Sequence, residues 1–161
     1  MLGEEIKAFF NDSTIDSVHV LRQALSVERV DSIHYNQVAG HEMRSYFIGG
    51  DPHLTTTRGN VFVNYYPFDD DSVMIEMNHT ETTLLKLYMK DRKVQRIWMP
   101  GTTGQMYPVD QTPANMRFLE NFAWFDYIRP TGPEDVFNWR GKKDGTTLKP
   151  YIRRQAPLQN L

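Results

Sequence analysis

The residue types that perform acid–base or metal chemistry are present in this sequence, but their spacing matches none of the common catalytic motifs. His41-Glu42 begins like the zinc motif HExxH, which needs a second histidine where Ser45 stands. The histidines are too scattered for a closely spaced metal-binding pair: His19, His34, His41, His53 and His79. No nucleotide-binding glycine motif or nucleophile elbow occurs. We therefore predict that the protein is not an enzyme and needs no metal and no cofactor.

The acidic run Asp69-Asp70-Asp71 is the other arrangement to consider for a metal ion. Calcium loops alternate their acidic residues with other residues and end in a distant glutamate, and this run does neither. Charges grouped between strand-like segments are typical of a solvated face or turn. We predict a turn between two strands at this place.

Composition narrows the class of protein further. The formal net charge of −2 argues against nucleic acid as a partner, because binding through phosphate contacts normally requires a basic excess. The absence of cysteine excludes disulfides and thiolate catalysis. Aromatic residues make up 12% of the chain and lie mostly in alternating segments, which favours an all-β protein. The 161 residues suffice for one domain.

Short segments of alternating polarity follow one another through the first hundred residues and are separated by turn-forming residues. The predicted strands are 6–10, 17–21, 32–35, 43–48, 60–66, 72–77, 83–89 and 93–99. Such short, regularly spaced strands predict a sandwich, a barrel or a solenoid.

Three segments share a form and predict an internal repeat. Each has an alternating strand that ends in a pair of large side chains and is followed by a polar turn. The pairs are Phe9-Phe10, Tyr46-Phe47 and Tyr88-Met89, and they lie about 40 positions apart. A period of this length in a β-rich chain is typical of stacked hairpin pairs that bury their apolar faces against one another.

The chain changes character after residue 110. Thr112-Pro113 combines a helix cap with proline at the first helical position, and Met116, Leu119 and Phe122 recur every three residues. We therefore predict a short helix over 113–120.

One domain in three parts is expected. Residues 1–110 are a repeat-like antiparallel β region. Residues 111–141 contain short helices and an aromatic strand (122–128) that pack on this region, with a second helical turn starting at Gly132. Residues 142–161 form a basic tail.

Alternating positions of three predicted strands collect apolar side chains. A filled core and a groove that is open to an acyl chain both produce this pattern, so the sequence leaves both interpretations open. The stripe consists of Val61, Val63, Tyr65, Val73, Ile75, Met77, Leu85, Leu87 and Met89.

Four segments in combination carry a resemblance to a known family. They are DSIHYNQVAGHEMRSYF (31–47), GNVFVNYY (59–66), LKLYMKDRKVQRIWMPGTTGQMYPV (85–109) and FLENFAWFDYIRP (118–130). Together they resemble the C-terminal part of the OstA-like proteins, the organic-solvent-tolerance or LptA-type family, in the form found in Bacteroides-related bacteria. The resemblance covers most of residues 6–161.

The resemblance implies a rolled antiparallel sheet, a β-jelly-roll or β-taco-like solenoid. It also implies a non-enzymatic periplasmic module that carries lipopolysaccharide toward the outer membrane, with the acyl chains in an apolar β interior. The nine stripe residues thereby become candidates for the lipid-binding inward face. Other Lpt-type modules would be partners through the pairing of edge strands. No signal peptide precedes the first strand pattern, so we expect this chain to be part of a longer precursor.

The rival hypothesis is a structural or protein-docking β domain with a sealed core that binds no lipid. Trp98, Trp124 and Trp139 would then mark core or interface positions. A hydrophobic stripe by itself fits this hypothesis as well as the first.

Overall fold

The structure is a computed structural model and describes residues 1–138 of the 161. Seven strands form one antiparallel sheet: β1 (Glu5–Asn11), β2 (Thr14–Arg29), β3 (Tyr35–Ile48), β4 (Asp51–Tyr65), β5 (Glu76–Lys90), β6 (Lys93–Trp98) and β7 (Thr103–Pro108). Short 3-10 helices follow at Val109–Gln111, Asp126–Ile128 and Pro133–Phe137. The prediction of an all-β, rolled antiparallel sheet with short helices near the C-terminus is confirmed.

The sheet is a meander in which each strand from β1 to β6 pairs with the next one along the chain. Strand β5 has two partners on its other side, because β6 pairs with its second part and β7 with its first part. Strand β1 lies at one edge and β6 at the other, and the sheet is not closed. Both edges therefore carry backbone groups that a further strand can pair with.

The central strands β2 to β5 contain 14 to 16 residues, two to three times the predicted length, because each one continues past an irregularity next to which the predicted strand begins or ends. The register shifts at one level of the sheet in three successive strand pairs. The residues at this level, called the fold line below, are Arg22, Gln23, Gly40, His41, Gly59, Asn60 and Thr83. Positive φ angles of 48° to 77° bend the chain at Arg22, Gln23, Gly59 and Asn60.

The fold line divides the sheet into two halves. The hairpin half contains residues 5–21, 42–58 and 84–98 and ends in three tight turns. The covered half contains residues 24–29, 35–39, 61–65, 76–82 and 103–108. Val20 and Met43 of the hairpin half pack in one cluster with Ala24, across the fold line. The sheet thus bends toward the side that carries these residues, which we call the inner face.

Gly40 lies where two strands approach closely at the fold line. A Cβ atom at this position would be 2.6 Å from the Cγ2 atom of Thr57 and 3.2 Å from the carbonyl oxygen of Arg58. Such distances are shorter than van der Waals contact, so the close approach at the fold line requires glycine.

The predicted repeat corresponds to three equivalent hairpins in the hairpin half. Strand pairs β1–β2, β3–β4 and β5–β6 each shift register within the aromatic or aromatic–methionine pair that the sequence singled out. The shifts lie between Phe9 and Phe10, between Tyr46 and Phe47, and between Tyr88 and Met89. The second strand of each hairpin therefore contains a β-bulge just after the turn.

Residues 112–122 cover the outer face of the covered half. Leu119 is buried there against Leu25 and Ala39. The buried amide of Gln37 donates to the carbonyl of Arg117 (2.8 Å) and accepts from the backbone N–H of Leu119 (2.9 Å).

The short helix predicted over 113–120 is wrong, although single turns are present. Met116 N–H donates to the carbonyl of Pro113, and Phe122 N–H donates to that of Leu119. Between these turns, side chains of the sheet bond the backbone groups that a helix would use internally. The spacing of three therefore reflects isolated turns that present their side chains to the sheet.

Of the described residues, 123–138 belong to a second compact unit. The strand predicted over 122–128 is wrong, because the chain forms the 3-10 helix Asp126–Ile128 there. The helical turn predicted from Gly132 is confirmed as Pro133–Phe137, and the Asp135 carboxylate accepts hydrogen bonds from Thr131 before it. Trp139 and the basic tail over 142–161 lie outside the described residues.

Candidate functional site

The inner face of the sheet follows from the strand register, because directly opposite residues in antiparallel strands point to the same side. In the hairpin half this face comprises Ile6, Ala8, Phe10, Val18, Val20, Met43, Ser45, Phe47, Thr55, Thr57, Leu85, Leu87, Met89, Val94 and Ile97. In the covered half it comprises Ala24, Ser26, Val38, Gly40, Val61, Val63, Tyr65, Asn78, Thr80, Thr82, Gly104 and Met106. None of these side chains is a carboxylate, an imidazole, an amine or a guanidinium. The acidic residues on this side lie at the far end of the covered half. They are Glu28 on β2, whose carboxylate accepts a hydrogen bond from Asn36, and Glu76 at the start of β5.

Exposure of the inner face changes from the centre of the sheet to its edges. Val61 is fully buried and Leu85 is 3% exposed near the fold line. On the edge strands, Phe10 is 69% exposed and Val94 is 47% exposed. The apolar surface is thus packed along the fold line and open to solvent on β1 and β6.

Six of the nine predicted stripe residues share the inner face. They are Val61, Val63, Tyr65, Leu85, Leu87 and Met89. They lie on neighbouring strands β4 and β5, on both sides of the fold line. The period-2 alternation assigned their orientation correctly because neither strand contains a bulge within these runs.

The three remaining stripe residues are placed elsewhere, and their assignment to the inward face is wrong. Val73 and Ile75 precede β5 and are more than half exposed. The strand predicted over 72–77 does not form at its start. There the Asp69 carboxylate accepts hydrogen bonds from the backbone N–H groups of Asp71 and Val73 and closes a turn. Met77 belongs to β5 but lies on the outer face by register, where it is fully buried.

The sequence analysis missed the apolar residues of the edge strands. Ile6 on β1 and Ile97 on β6 belong to the inner face and are about half exposed. Both lie in predicted strands with visible alternation. The sequence alone does not show that strand pairing places these residues on the same face as Leu85 and Leu87.

Neutral hydroxyl groups interrupt the apolar inner face near the fold line. Ser45 and Thr55 lie opposite each other and share a buried hydrogen bond of 2.9 Å between their hydroxyl oxygens. Thr82 donates to the carbonyl of Pro100 at 2.7 Å. The fully buried Oγ1 atom of Thr57 has no hydrogen-bond partner among the described residues.

The outer face of the hairpin half is charged, and at the β1 edge its charges are paired. The Lys7 ammonium is 2.9 Å from the Glu5 carboxylate, and its hydrogen bond lowers the pKa of that carboxyl. Beside this pair, hydrogen bonds from Gln23 and Arg22 lower the pKa of the Glu4 carboxyl. The two faces of the same strands therefore offer opposite environments.

The described residues hold no group of three or more side chains that could bind a metal ion. One polar pair stands out: the Asp31 carboxylate lies 2.7 Å from the Nδ1 atom of His34, and this hydrogen bond lowers the pKa of Asp31 to about 2. Asp31 also accepts from the backbone N–H of Ile33 and His34, so the pair closes the turn between β2 and β3.

A shallow depression of about 230 Å³ lies next to the fold line, between Val61, Thr82 and Gly101. Small-molecule sites usually enclose about 300 to 1,000 Å³ and bury most of their ligand. The depression is too small and too open for such a ligand, so the extended inner face is the stronger candidate site.

Among residues 1–138, no helix has the length and apolar character required to cross a membrane. Comparisons of the chain with protein-family models, with curated proteins and with solved structures found no match.

Proposed function

We propose that this chain is a non-enzymatic lipid-binding module that holds acyl chains against the inner face of its sheet. The observation that carries the proposal is the run of uncharged inner-face residues that remains exposed on the edge strands β1 and β6. Burial of an acyl chain against such a surface is favourable by about 0.8 kcal/mol for each CH2 group removed from water. Desolvation of a charge would oppose this gain, and the register places no charged residue on the inner face of β1 or β6.

The resemblance to OstA-like proteins supports lipopolysaccharide as the lipid and the periplasm as the location. It also supports transport toward the outer membrane. In this proposal, modules of the Lpt type pair with the open edges of the sheet. Such pairing would continue the apolar inner face from one module to the next through main-chain hydrogen bonds.

The test is native mass spectrometry of the chain incubated with lipopolysaccharide and, separately, with an uncharged monoacylglycerol. We expect both lipids to form a retained adduct and the variant Ile97→Asp to lose it, because the new carboxylate lies on the inner face of the edge strand. Ile97 is 43% exposed, so the variant should fold. The matched control Gln95→Asp places the same charge on β6, at the residue that the β-bulge leaves unpaired. Absence of an adduct with folded protein, or an adduct that survives Ile97→Asp, contradicts the proposal.

A second candidate function, a docking domain with a sealed core, is favoured by the packing along the fold line. Val20 and Val61 are fully buried and Met43 is 1% exposed, so no lipid reaches them in this conformation. Trp98, by contrast, is 39% exposed on the edge strand rather than in this core. In this alternative the exposed apolar residues of β1 and β6 contact a protein partner. A compact, folded protein that takes up neither lipid would favour it.

A further inference from the structure

The β5–β6 hairpin concentrates positive charge at one edge of the sheet. Residues 86–98 contain five basic residues and one acidic residue, a formal net charge of +4 in a chain whose total is −2. The acidic residue, Asp91, lies in the turn of the hairpin beside Arg92. Among the described residues, Arg92 is the one of the five that forms an ion pair, with Asp51 at 2.8 Å.

The other four basic residues, Lys86, Lys90, Lys93 and Arg96, form no ion pair among residues 1–138. The ammonium group of Lys86 lies 5.3 Å from the ring centre of Trp98. The guanidinium group of Arg96 lies 5.8 Å from that of Tyr88. Aromatic rings attract a cation without neutralising it, so these charges remain available to an anion.

Register separates the two faces of this hairpin completely. All four unpaired cations lie on the outer face together with Tyr88 and Trp98. The inner face carries Leu87, Met89, Val94 and Ile97. Because β6 is the edge strand, one amphiphilic molecule that lies across this edge can contact both faces.

Lys90 and Lys93 place like charges at directly opposite positions of the hairpin, and neither forms an ion pair among residues 1–138. They are direct partners across the two strands, and both are exposed. Like charges at directly opposite positions destabilise a sheet. A bound anion would remove this repulsion, because one phosphate group can accept hydrogen bonds from two ammonium groups.

We infer that the β5–β6 hairpin binds the phosphate-bearing headgroup of a lipid, at an anion site formed by Lys90 and Lys93 with Arg96 beside them. The inference rests on the proposed lipid-binding function and extends it. The acyl chains occupy the apolar inner face, and the headgroup passes over β6 to the cations on the outer face. The ligand class is therefore an anionic, phosphorylated lipid.

The test measures binding of the full chain to phosphatidylcholine vesicles with and without phosphatidic acid, for the wild type and for Lys90→Gln/Lys93→Gln. We expect the wild type to bind the vesicles that contain phosphatidic acid more tightly than those without it. The double variant should bind the phosphatidic acid vesicles at least tenfold more weakly than the wild type, because each basic residue removed near an anionic surface lowers the affinity about fivefold. The matched control Lys7→Gln/Arg58→Gln removes the same charge from other strands of the outer face. Its binding should change less than twofold.

Two further measurements separate the possible results. The melting temperature of Lys90→Gln/Lys93→Gln should equal or exceed that of the wild type, because the repulsion is gone. Inorganic phosphate should compete only weakly, because a free ion lacks the acyl chains. The headgroup site would be overturned if both double variants lost the same amount of vesicle binding. It would also be overturned if inorganic phosphate competed for the protein as strongly as vesicles do.

The same variants report separately on the proposed function. Uptake of the uncharged monoacylglycerol depends on the inner face alone, so Lys90→Gln/Lys93→Gln should retain it. Monoacylglycerol uptake without any preference for phosphatidic acid overturns the headgroup site and leaves the lipid-binding function standing. Absence of monoacylglycerol uptake in the wild type overturns the function itself.

Discussion

In the covered half of the sheet, the buried amides of Gln37 and Asn64 donate hydrogen bonds to the backbone of residues 112–122. In the hairpin half, the buried hydroxyl of Thr57 has no partner within residues 1–138, and Lys90 opposes Lys93 across two strands. One half therefore satisfies its buried amides, while the other retains contacts that cost stability. Natural sequences depart from local consistency at functional sites. The difference supports the proposal that the hairpin half carries the lipid-binding surface, while the covered half supports the fold.

The largest effect should come from Gln37→Leu in the covered half. The substitution leaves the Arg117 carbonyl and the Leu119 N–H without their partners where residues 112–122 cover the sheet. At about 1 to 3 kcal/mol for each unsatisfied buried group, we expect the free energy of unfolding to fall by about 4 kcal/mol. Urea denaturation measures this loss. Gln105→Leu is the matched control, since Gln105 is exposed and opposite His79 in the same sheet, and it should change stability by less than about 0.5 kcal/mol.

A smaller effect of opposite sign is expected from Thr57→Val in the hairpin half. The hydroxyl is buried and has no partner in the described part of the chain, so a methyl group of similar size removes its desolvation cost. The free energy of unfolding should rise by about 1 kcal/mol. Thr55→Val, in contrast, leaves the Ser45 hydroxyl unpaired and should lower it by a similar amount. If thermal unfolding shows that Thr57→Val destabilises the protein, the hairpin half does not carry the unfavourable contact that the comparison assigns to it.

The smallest effect concerns Asp31 in the turn at the end of the covered half. Its pKa is lowered from 3.8 to about 2 by hydrogen bonds from His34 and Ile33, so its ionised form stabilises the folded state. This contribution is complete above the unfolded pKa of 3.8 and is lost as the pH falls toward 2. The stability difference between the wild type and Asp31→Asn should therefore shrink over this range in pH-dependent unfolding. Solvent screening keeps it small. Asp70→Asn, at an exposed position, should show no comparable change; a difference that stays constant with pH would assign the Asp31 effect to another cause.

Local patterns in the sequence predicted the strands and the side that several residues face. Val61 and Val63 were assigned correctly because a strand keeps its period of two wherever no bulge intervenes. The hairpin repeat was visible because the same pairing irregularity recurs at the same kind of residue pair. The bend within β2 was missed because Arg22 and Gln23, which carry no turn signature, adopt positive φ.

Other parts of the structure depend on contacts between distant residues. The capping signature at Thr112-Pro113 predicts a helix locally, but Gln37 and Asn64 bond the backbone of this segment from far away in the sequence. The hairpin site was missed for a related reason. Lys90 and Lys93 are visible in the sequence as charges on either side of a turn, but only the register shows that they oppose each other on the outer face.

The meander connection of the sheet has a consequence for how the chain folds and lengthens. Each strand from β1 to β6 pairs with its immediate neighbour in the sequence, so no strand has to wait for a distant segment. Loop closure between such neighbours is entropically cheap, which favours growth of the sheet one hairpin at a time. Because the three hairpins repeat the same bulge, insertion or loss of a whole hairpin preserves which side chains face inward. The length of the apolar surface can thus change during evolution by duplication of one hairpin unit, without redesign of the fold.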